Sequence, residues 1–87
     1  MSYVLLFTDT FESDLKELDK PIKLRLEKLI LKIKEHPKSA GKPISGKFNR
    51  FSTRFENYRL IYDVDDKKQT ILLLTVKSRD EVYKHFY

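Results

Sequence analysis

The alternation of residue types from Phe51 to Tyr62 (FSTRFENYRLIY) constrains the fold of this chain most strongly. Bulky residues stand at every second position on both sides of Glu56-Asn57, which indicates two antiparallel strands joined by a tight turn. Asn57 tolerates the positive φ that such a turn demands. Because side chains alternate across a pleated sheet, Arg54 is predicted to lie on the face opposite the aromatic row.

The size and charge of the chain limit the classes of protein to consider. Its 87 residues predict a single domain, residues 1–87, with a modest core. A hydrophobic content of 40% and six Phe with five Tyr indicate a folded rather than a disordered chain. The net charge of +5 favours a polyanionic partner, which leaves nucleic acid, a membrane surface or an acidic protein.

Several classes are excluded by what the sequence lacks. It contains no cysteine, so disulfides and thiolate metal sites are ruled out and export to an oxidising compartment is not indicated. No apolar run approaches the roughly 18 residues of a membrane span, and the first residues lack the order of a signal peptide. We therefore expect a cytoplasmic protein with no membrane partner.

The first half of the chain predicts a strand followed by two helices. Residues 3–7 (YVLLF) form a short apolar run that suits a strand covered on both faces. Asp9 and Glu12 have the spacing of a capping box, which predicts that the first helix begins there. A second helix follows with Pro21 at its first position, and it should end near His36.

The second half predicts three strands and a closing helix. Residues 38–46 hold both glycines and a proline, which predicts a loop. Residues 70–76 (TILLLTV) are apolar on both faces, as a central strand would be. Ser78 and Glu81 repeat the capping-box spacing and predict the start of a short helix. The fold class is therefore α+β, with an N-terminal helical hairpin packed on an antiparallel-dominated sheet and a short C-terminal helix (βααβββα). The expected core is Leu5, Phe7, Phe11, Leu15, Leu18, Leu26, Leu29, Ile33, Leu60, Tyr62, Leu72 and Leu74.

Two motifs on this predicted fold are similar to those of a known family. They are Arg54-x-x-x-Tyr58-Arg59-x-x-Tyr62 and Arg79-Asp80-Glu81-Val82-Tyr83, preceded by the loop glycine Gly46. Both stand in the order and spacing found in the RelE/ParE superfamily of bacterial and archaeal toxins. The resemblance covers nearly the whole chain.

This resemblance implies a function within the RelE branch. Members of that branch are toxins of type II toxin-antitoxin systems and cleave mRNA in the ribosomal A site, which inhibits translation. A small RelB-like antitoxin holds them inactive in a hetero-oligomer. Their chemistry resembles metal-independent RNA transesterification without a cofactor, so this chain is expected to be an endoribonuclease with the ribosome and mRNA as partners.

The resemblance also implies catalytic residues. Arg54, Arg59 and Arg79 match the cationic residues of the family, and Tyr83 matches a tyrosine proposed to stack on the RNA or to transfer a proton. Guanidinium groups suit this task because they stay charged and bond two phosphate oxygens at once. We therefore take these four residues as candidate catalytic residues.

The chain departs from the family pattern at three positions. Ser52 stands where many ribonuclease members carry a Lys or Arg, Glu56 replaces a turn glycine, and Ser78 replaces a frequent histidine. A neighbouring cation could restore the charge missing at Ser52, and the lysines of the second helix are either a solvated face or contacts to rRNA phosphates. The candidate RNA-binding residues are accordingly Lys28, Lys32, Lys47, Arg50, Ser52 and Lys77.

Structural roles compete with these functional ones. Arg59 could form an ion pair with Asp63 or Glu81, Arg54 could form a similar surface pair, and Tyr83 could simply pack the last helix on the sheet. Tyr58 and Tyr62 are expected in the core, and His85 on a solvated surface.

Two other functions stay open beside RNA cleavage. A ParE-like toxin that inhibits DNA gyrase without nuclease activity is one, and a basic RNA-binding protein without catalysis is the other.

Overall fold

The computed structural model describes the backbone of residues 3–86 and the side chains of residues 3–84. It confirms the α+β class, with two helices and a short C-terminal helix around one five-stranded sheet. The elements in chain order are β1 (Val4–Phe7), α1 (Asp9–Lys16), α2 (Lys20–Glu35), β2 (Lys42–Pro43), β3 (Arg50–Phe55), β4 (Tyr58–Asp65), β5 (Thr70–Ser78) and α3 (Arg79–Phe86). The side chain of His85 lies outside the described residues.

The sheet has the strand order β1-β5-β4-β3-β2. Only β1 and β5 pair in parallel, and the other three pairings are antiparallel. The helical hairpin supplies the crossover that a parallel pair requires. As predicted, the strand after residue 70 is central, because β5 lies between β1 and β4.

The helix ends differ from the predictions by one residue. The cap of α1 is Thr8, whose Oγ1 accepts a hydrogen bond from the Phe11 amide at 3.0 Å, and Asp9 is already helical. The second helix begins at Lys20, so Pro21 takes the second helical position, where its missing N–H also costs nothing. No helix in the described part of the chain is long and apolar enough to cross a membrane.

Two details of the β2 to β4 region also differ. The segment predicted as a loop contains the two-residue strand β2, which pairs with Phe51 and Ser52 at the sheet edge. The β3–β4 turn has the expected two residues, but the positive φ of 51° belongs to Glu56 rather than to Asn57. The left-handed conformation therefore falls on a residue with no special tolerance for it.

Alternation along β3 and β4 gives the sheet two distinct faces. One, which we call the helix face, carries Phe51, Leu60 and Tyr62, and these pack with Phe11, Leu18, Leu26 and Ile33 of the helices. The other, which we call the arginine face, carries Arg50, Ser52 and Arg54 of β3 and Arg59, Ile61 and Asp63 of β4. On the arginine face Ile44, Ile61 and Val82 form a small second cluster.

Three expected core residues lie elsewhere. Phe7 is 49% exposed at the sheet edge, although its ring stacks on Phe11. Leu72 is only partly buried, and Leu74, which follows the helix-face residue Leu73, packs on the second cluster. The prediction that residues 3–7 are covered on both faces is therefore wrong. The helices cover only one face of the sheet at this edge, so Val4 and Leu6 are exposed.

Candidate functional site

Two arginines stand side by side in the middle of the arginine face. Arg54 and Arg59 are direct partners in the β3–β4 register, so their side chains leave the sheet on the same side. Like charges placed opposite each other on neighbouring strands destabilise a sheet. Within residues 3–84, no carboxylate lies within 4.0 Å of either guanidinium to offset that cost.

Arg59 is held in place by two hydroxyl groups. Its Nη1 donates to Ser52 Oγ and its Nη2 donates to the Tyr83 hydroxyl, each at 3.3 Å. Its Nε is buried and has no hydrogen-bond partner among the described residues. Ser52 is thus a buried neighbour that orients Arg59 and brings no charge of its own.

Tyr83 brings Arg59 and Arg79 together. The guanidinium carbons lie 5.3 Å and 5.7 Å from the Tyr83 ring centroid, which is within the range of a cation–π contact. The start of α3 sets this geometry, because Ser78 Oγ accepts from the Glu81 amide at 3.5 Å, and the Arg79 amide donates to the Asn57 carbonyl at 3.2 Å. The structure therefore places both arginines at one ring, as strand pairing suggested.

Two of the other candidate cations are already neutralised. Arg50 forms a bidentate ion pair with Asp63, at 2.7 Å and 3.0 Å, and this hydrogen-bonded carboxylate raises the pKa of Arg50. Lys77 Nζ lies 2.5 Å from Asp14 Oδ1. Asp14 is itself buried on α1 and also accepts from the Thr75 hydroxyl. Neither Arg50 nor Lys77 therefore stands as an uncompensated cation beside Ser52.

A groove of about 700 Å³ opens beside the arginine pair, between β2, the loop that follows it and β3. We call it the β2–β3 groove. Its charged lining residues are Lys42, Lys47, Arg54 and Arg59, and no carboxylate lines it. Lys42 lies directly opposite Ser52 in the β2–β3 register, so its side chain leaves the sheet beside that residue. The groove is a basic extension of the arginine site.

No group of three or more His, Cys, Asp or Glu side chains that could hold a metal ion occurs in the part of the chain that the structure describes.

Comparison with known proteins places the chain in a family. Residues 5–83 match the family model described as ParE toxin of type II toxin-antitoxin system, parDE. This protein is a toxin of the RelE/ParE superfamily. Toxin RelG of Mycobacterium tuberculosis is 31% identical over 86 residues, which cover 97% of this chain and 99% of RelG. The mRNA interferase toxin RelE of Escherichia coli is 26% identical over 87 residues, covering 95% of this chain and 92% of RelE.

Solved structures agree with this assignment. The toxin-antitoxin complex RelBE2 from Mycobacterium tuberculosis contains a chain with a TM-score of 0.81 and 31% identity, covering 91% of this toxin and all of that chain. A free E. coli RelE with two arginines changed to alanine gives a TM-score of 0.83 at 26% identity, covering 97% of this toxin and 93% of that chain. The resemblance stated from the sequence motifs is confirmed, and the protein is a type II toxin of the RelE family.

The remaining candidate residues of the toxin lie apart from the arginine site. Lys28 and Lys32 are exposed on α2, which covers the opposite face of the sheet. Their contact with rRNA therefore stays a prediction about a second surface. Tyr62 is fully buried and Tyr58 packs against the same core, as expected. The Tyr62 hydroxyl donates to the Pro37 carbonyl at 2.6 Å, and burial raises its pKa to about 12.

Sequence reasoning missed one cation of this site. Lys42 was assigned to a loop, whereas the structure places it on β2 beside Ser52 and lining the groove. A two-residue strand has no periodicity to reveal it. The only available signal was its position four residues before Gly46, within a segment that must turn back toward β3.

Proposed function

We propose that this toxin is an mRNA endoribonuclease that acts in the ribosomal A site by RNA transesterification. The observation that carries the proposal is the arginine pair at Tyr83, with Arg54 directly across the strand from Arg59. Three guanidinium groups without a carboxylate partner in residues 3–84 suit a phosphate whose charge grows during reaction. The name of the E. coli relative, mRNA interferase toxin, supports the same chemistry.

The proposed reaction places distinct demands on the site. The 2′-hydroxyl attacks the adjacent phosphorus, the bond to the 5′-oxygen breaks, and a 2′,3′-cyclic phosphate and a 5′-hydroxyl result. One proton leaves the attacking hydroxyl and one reaches the departing oxygen. Arg59 and Arg79 would stabilise the negative charge that develops on the non-bridging oxygens, because both are already oriented before substrate binds.

Tyr83 can serve this reaction in two ways. Its ring, 42% exposed, offers a surface on which a base can stack, and its hydroxyl lies within hydrogen-bond distance of Arg59. Tyr83→Phe separates the two roles because it keeps the ring and removes the hydroxyl. Unchanged single-turnover cleavage by Tyr83→Phe would assign stacking, and a large loss would assign a role to the hydroxyl, either in proton transfer or in orienting Arg59.

The proposal is tested by incubating the purified toxin with translating ribosomes and mapping mRNA 5′ ends. We expect cuts at positions set by the reading frame, and their near disappearance in Arg79→Ala. Lys68→Ala, which removes an exposed cation from the β4–β5 turn, should cut like the unmodified toxin. An active toxin whose cuts ignore the reading frame, or an Arg79→Ala variant that cuts normally, would contradict the mechanism.

The exposed apolar surface supports a RelB-like antitoxin as partner. Phe7, Leu24 and Leu31 are between 49% and 62% exposed. A cavity of about 660 Å³ lies between α1 and α2, beside Phe7. Apolar clefts of this kind accommodate the anchors of an amphipathic partner helix. The product of a neighbouring small reading frame should bind at micromolar concentration and raise the Tm of the toxin, whereas Phe7→Asp should weaken the complex.

A ParE-like activity is the second candidate, because the matching family model is described as a ParE toxin. Ser52 also leaves one strand position of the arginine face without a charge. In this case the toxin would inhibit the supercoiling activity of purified DNA gyrase and leave ribosome-bound mRNA intact. The two assays together decide between the candidates.

A further inference from the structure

The β2–β3 groove differs in charge from the other grooves on the described surface. Its twelve lining residues include four cations and no carboxylate. Four other grooves are each lined by at least two carboxylates, among them Glu56 and Asp80 in the small groove beside α3. On a protein with net charge +5, the charged residues that line this groove are all cations, unlike those of the four other grooves.

The cations of this groove are also uncompensated. Every ion pair in residues 3–84 involves other cations, namely Arg25, Lys38, Arg50 and Lys77. Arg54 faces Arg59 at a cost in stability, and Arg59 Nε is buried without a hydrogen-bond partner. A buried donor in this condition requires an acceptor, which a water molecule or a phosphate oxygen can supply.

The groove adjoins the proposed site of cleavage. Arg59 lines the groove and also contacts Tyr83, so the two sites share this residue. The hydroxyls of Ser39, Ser45 and Ser52 line the groove and can donate to phosphate oxygens. Pro43 and Ile44 add an apolar wall, and a volume of about 700 Å³ is sufficient for a nucleotide.

From these observations we infer that the β2–β3 groove is a second phosphate subsite, which binds the phosphodiester next to the one that is cleaved. Lys42 and Lys47 contact this neighbouring phosphate, and Arg54 lies between it and the scissile phosphate held by Arg59. The inference rests on the proposed RNA substrate. It assigns binding of the strand to the two lysines and leaves the chemical step to the arginines.

The test measures binding of a fluorescent, fully 2′-O-methylated RNA hexanucleotide to the isolated toxin over a range of salt concentrations. This probe lacks the attacking hydroxyl and is not cleaved. Each phosphate contact to a single strand contributes about 0.7 to the slope of log K against log salt. The double variant Lys42→Ala/Lys47→Ala should therefore lower the slope by about 0.7, because both lysines contact the same phosphate. The matched control Lys67→Ala/Lys68→Ala removes the same charge from an exposed turn and should keep the slope.

The result distinguishes the subsite from general charge. Equal losses in both double variants would overturn the inference, because net charge alone would then account for binding. Tighter binding of hexaglutamate than of the hexanucleotide would overturn it in favour of an acidic protein segment.

The outcome is separable from that of the proposed function. If Lys42→Ala/Lys47→Ala lowers the salt slope but the toxin never cuts mRNA, the subsite is supported and the nuclease proposal is contradicted. In a toxin that cuts, Lys42→Ala/Lys47→Ala should raise the toxin concentration needed for half-maximal cleavage and keep the maximal rate. Loss of the maximal rate at saturation would place these lysines in the chemical step and contradict the division of roles.

Discussion

The residues on the two faces of strand β4 differ in how they affect the stability of the fold. Leu60 and Tyr62 point into the helix face and are fully buried among apolar neighbours. Arg59, which directly precedes Leu60 in the sequence, points to the arginine face, where it meets Arg54 and its buried Nε has no hydrogen-bond partner among the described residues. One strand thus carries a face in which each residue supports the fold and a face on which Arg59 opposes it.

This contrast shows where the toxin accepts a loss of stability. The bidentate pair of Arg50 with Asp63 shows that this chain can neutralise a cation on the same face. Among the described residues no carboxylate neutralises Arg54 or Arg59, although a carboxylate on a neighbouring strand would stabilise the sheet. An uncompensated position of this kind is typical of a binding or catalytic site.

The largest expected effect comes from the helix face. Leu60→Ala should lower the free energy of unfolding by about 2 to 5 kcal/mol, because Leu60 is fully buried and its removal leaves a cavity. Urea denaturation measures this change. Leu31→Ala, which truncates an exposed leucine of α2, is the matched control and should change stability little. A loss below about 0.5 kcal/mol for Leu60→Ala would contradict the assignment of the two faces.

Substitution of Arg59, next to Leu60 in the sequence, should affect cleavage much more than stability. Arg59→Ala should lower single-turnover cleavage by on the order of a hundredfold to a thousandfold, the cost of losing one donor to a developing oxyanion. Its free energy of unfolding should change much less than that of Leu60→Ala, because relief of the repulsion with Arg54 offsets the lost hydrogen bonds to Ser52 and Tyr83. Destabilisation comparable to that of Leu60→Ala would make Arg59 a structural residue.

A smaller change in the free energy of unfolding is expected at high pH. Burial raises the pKa of Tyr62 to about 12, above its ordinary value of 10. The folded state therefore keeps the proton that the unfolded chain releases above pH 10. Stability is fully present below pH 10 and should fall by up to about 3 kcal/mol as the pH rises to 12.

Tyr62→Phe tests this dependence, because it removes the titrating group and should flatten the high-pH part of the stability curve. The control is Tyr3→Phe, which removes the hydroxyl of a partly buried tyrosine whose pKa Asp66 raises and should flatten the curve less. Equal curves for Tyr62→Phe and the unmodified toxin would show that Tyr62 titrates normally.

The helix face was largely predictable because its residues repeat with the period of the local structure. Leu26 and Ile33 follow helical spacing, and Leu60 and Tyr62 follow strand alternation. Phe7, Leu72 and Leu74 were misplaced because their segments are apolar at consecutive positions. In such a run the sequence carries no signal for which face is covered, since strand order and the β4–β5 register shift decide it.

The arginine face was predictable only in part. Alternation correctly placed Arg54 opposite the aromatic row, and strand pairing brought Arg59 and Arg79 to Tyr83. The pairing of Lys77 with Asp14 could not be predicted, because 63 residues separate them and α1 must first pack along the end of β5. Long-range contacts of this kind depend on the whole fold rather than on local pattern.

The smallest effect on stability is expected at the β3–β4 turn. Glu56 has a φ of 51°, a left-handed conformation that costs an L-residue about 1 to 2 kcal/mol relative to glycine. Its carboxylate pairs with Arg25 of α2, and both side chains are largely exposed, so this ion pair stabilises little. We therefore expect Glu56→Gly to be more stable than Glu56→Ala by about 1 kcal/mol in urea denaturation.

The two variants share the loss of the ion pair and differ in backbone strain, so their difference isolates the cost of the turn. Glu56 also lines a cavity of about 320 Å³ together with Arg54 and Arg79. Both substitutions remove this carboxylate from beside two candidate catalytic arginines, and both should therefore strengthen RNA binding to the same extent. If Glu56→Gly gains stability and cleaves as Glu56→Ala does, the strain belongs to the turn alone. If Glu56→Gly instead loses cleavage while Glu56→Ala keeps it, the restricted backbone of an L-residue at this turn is needed to hold Arg54 and Arg79 in position, and the arginine face depends on backbone rigidity as well as on charge.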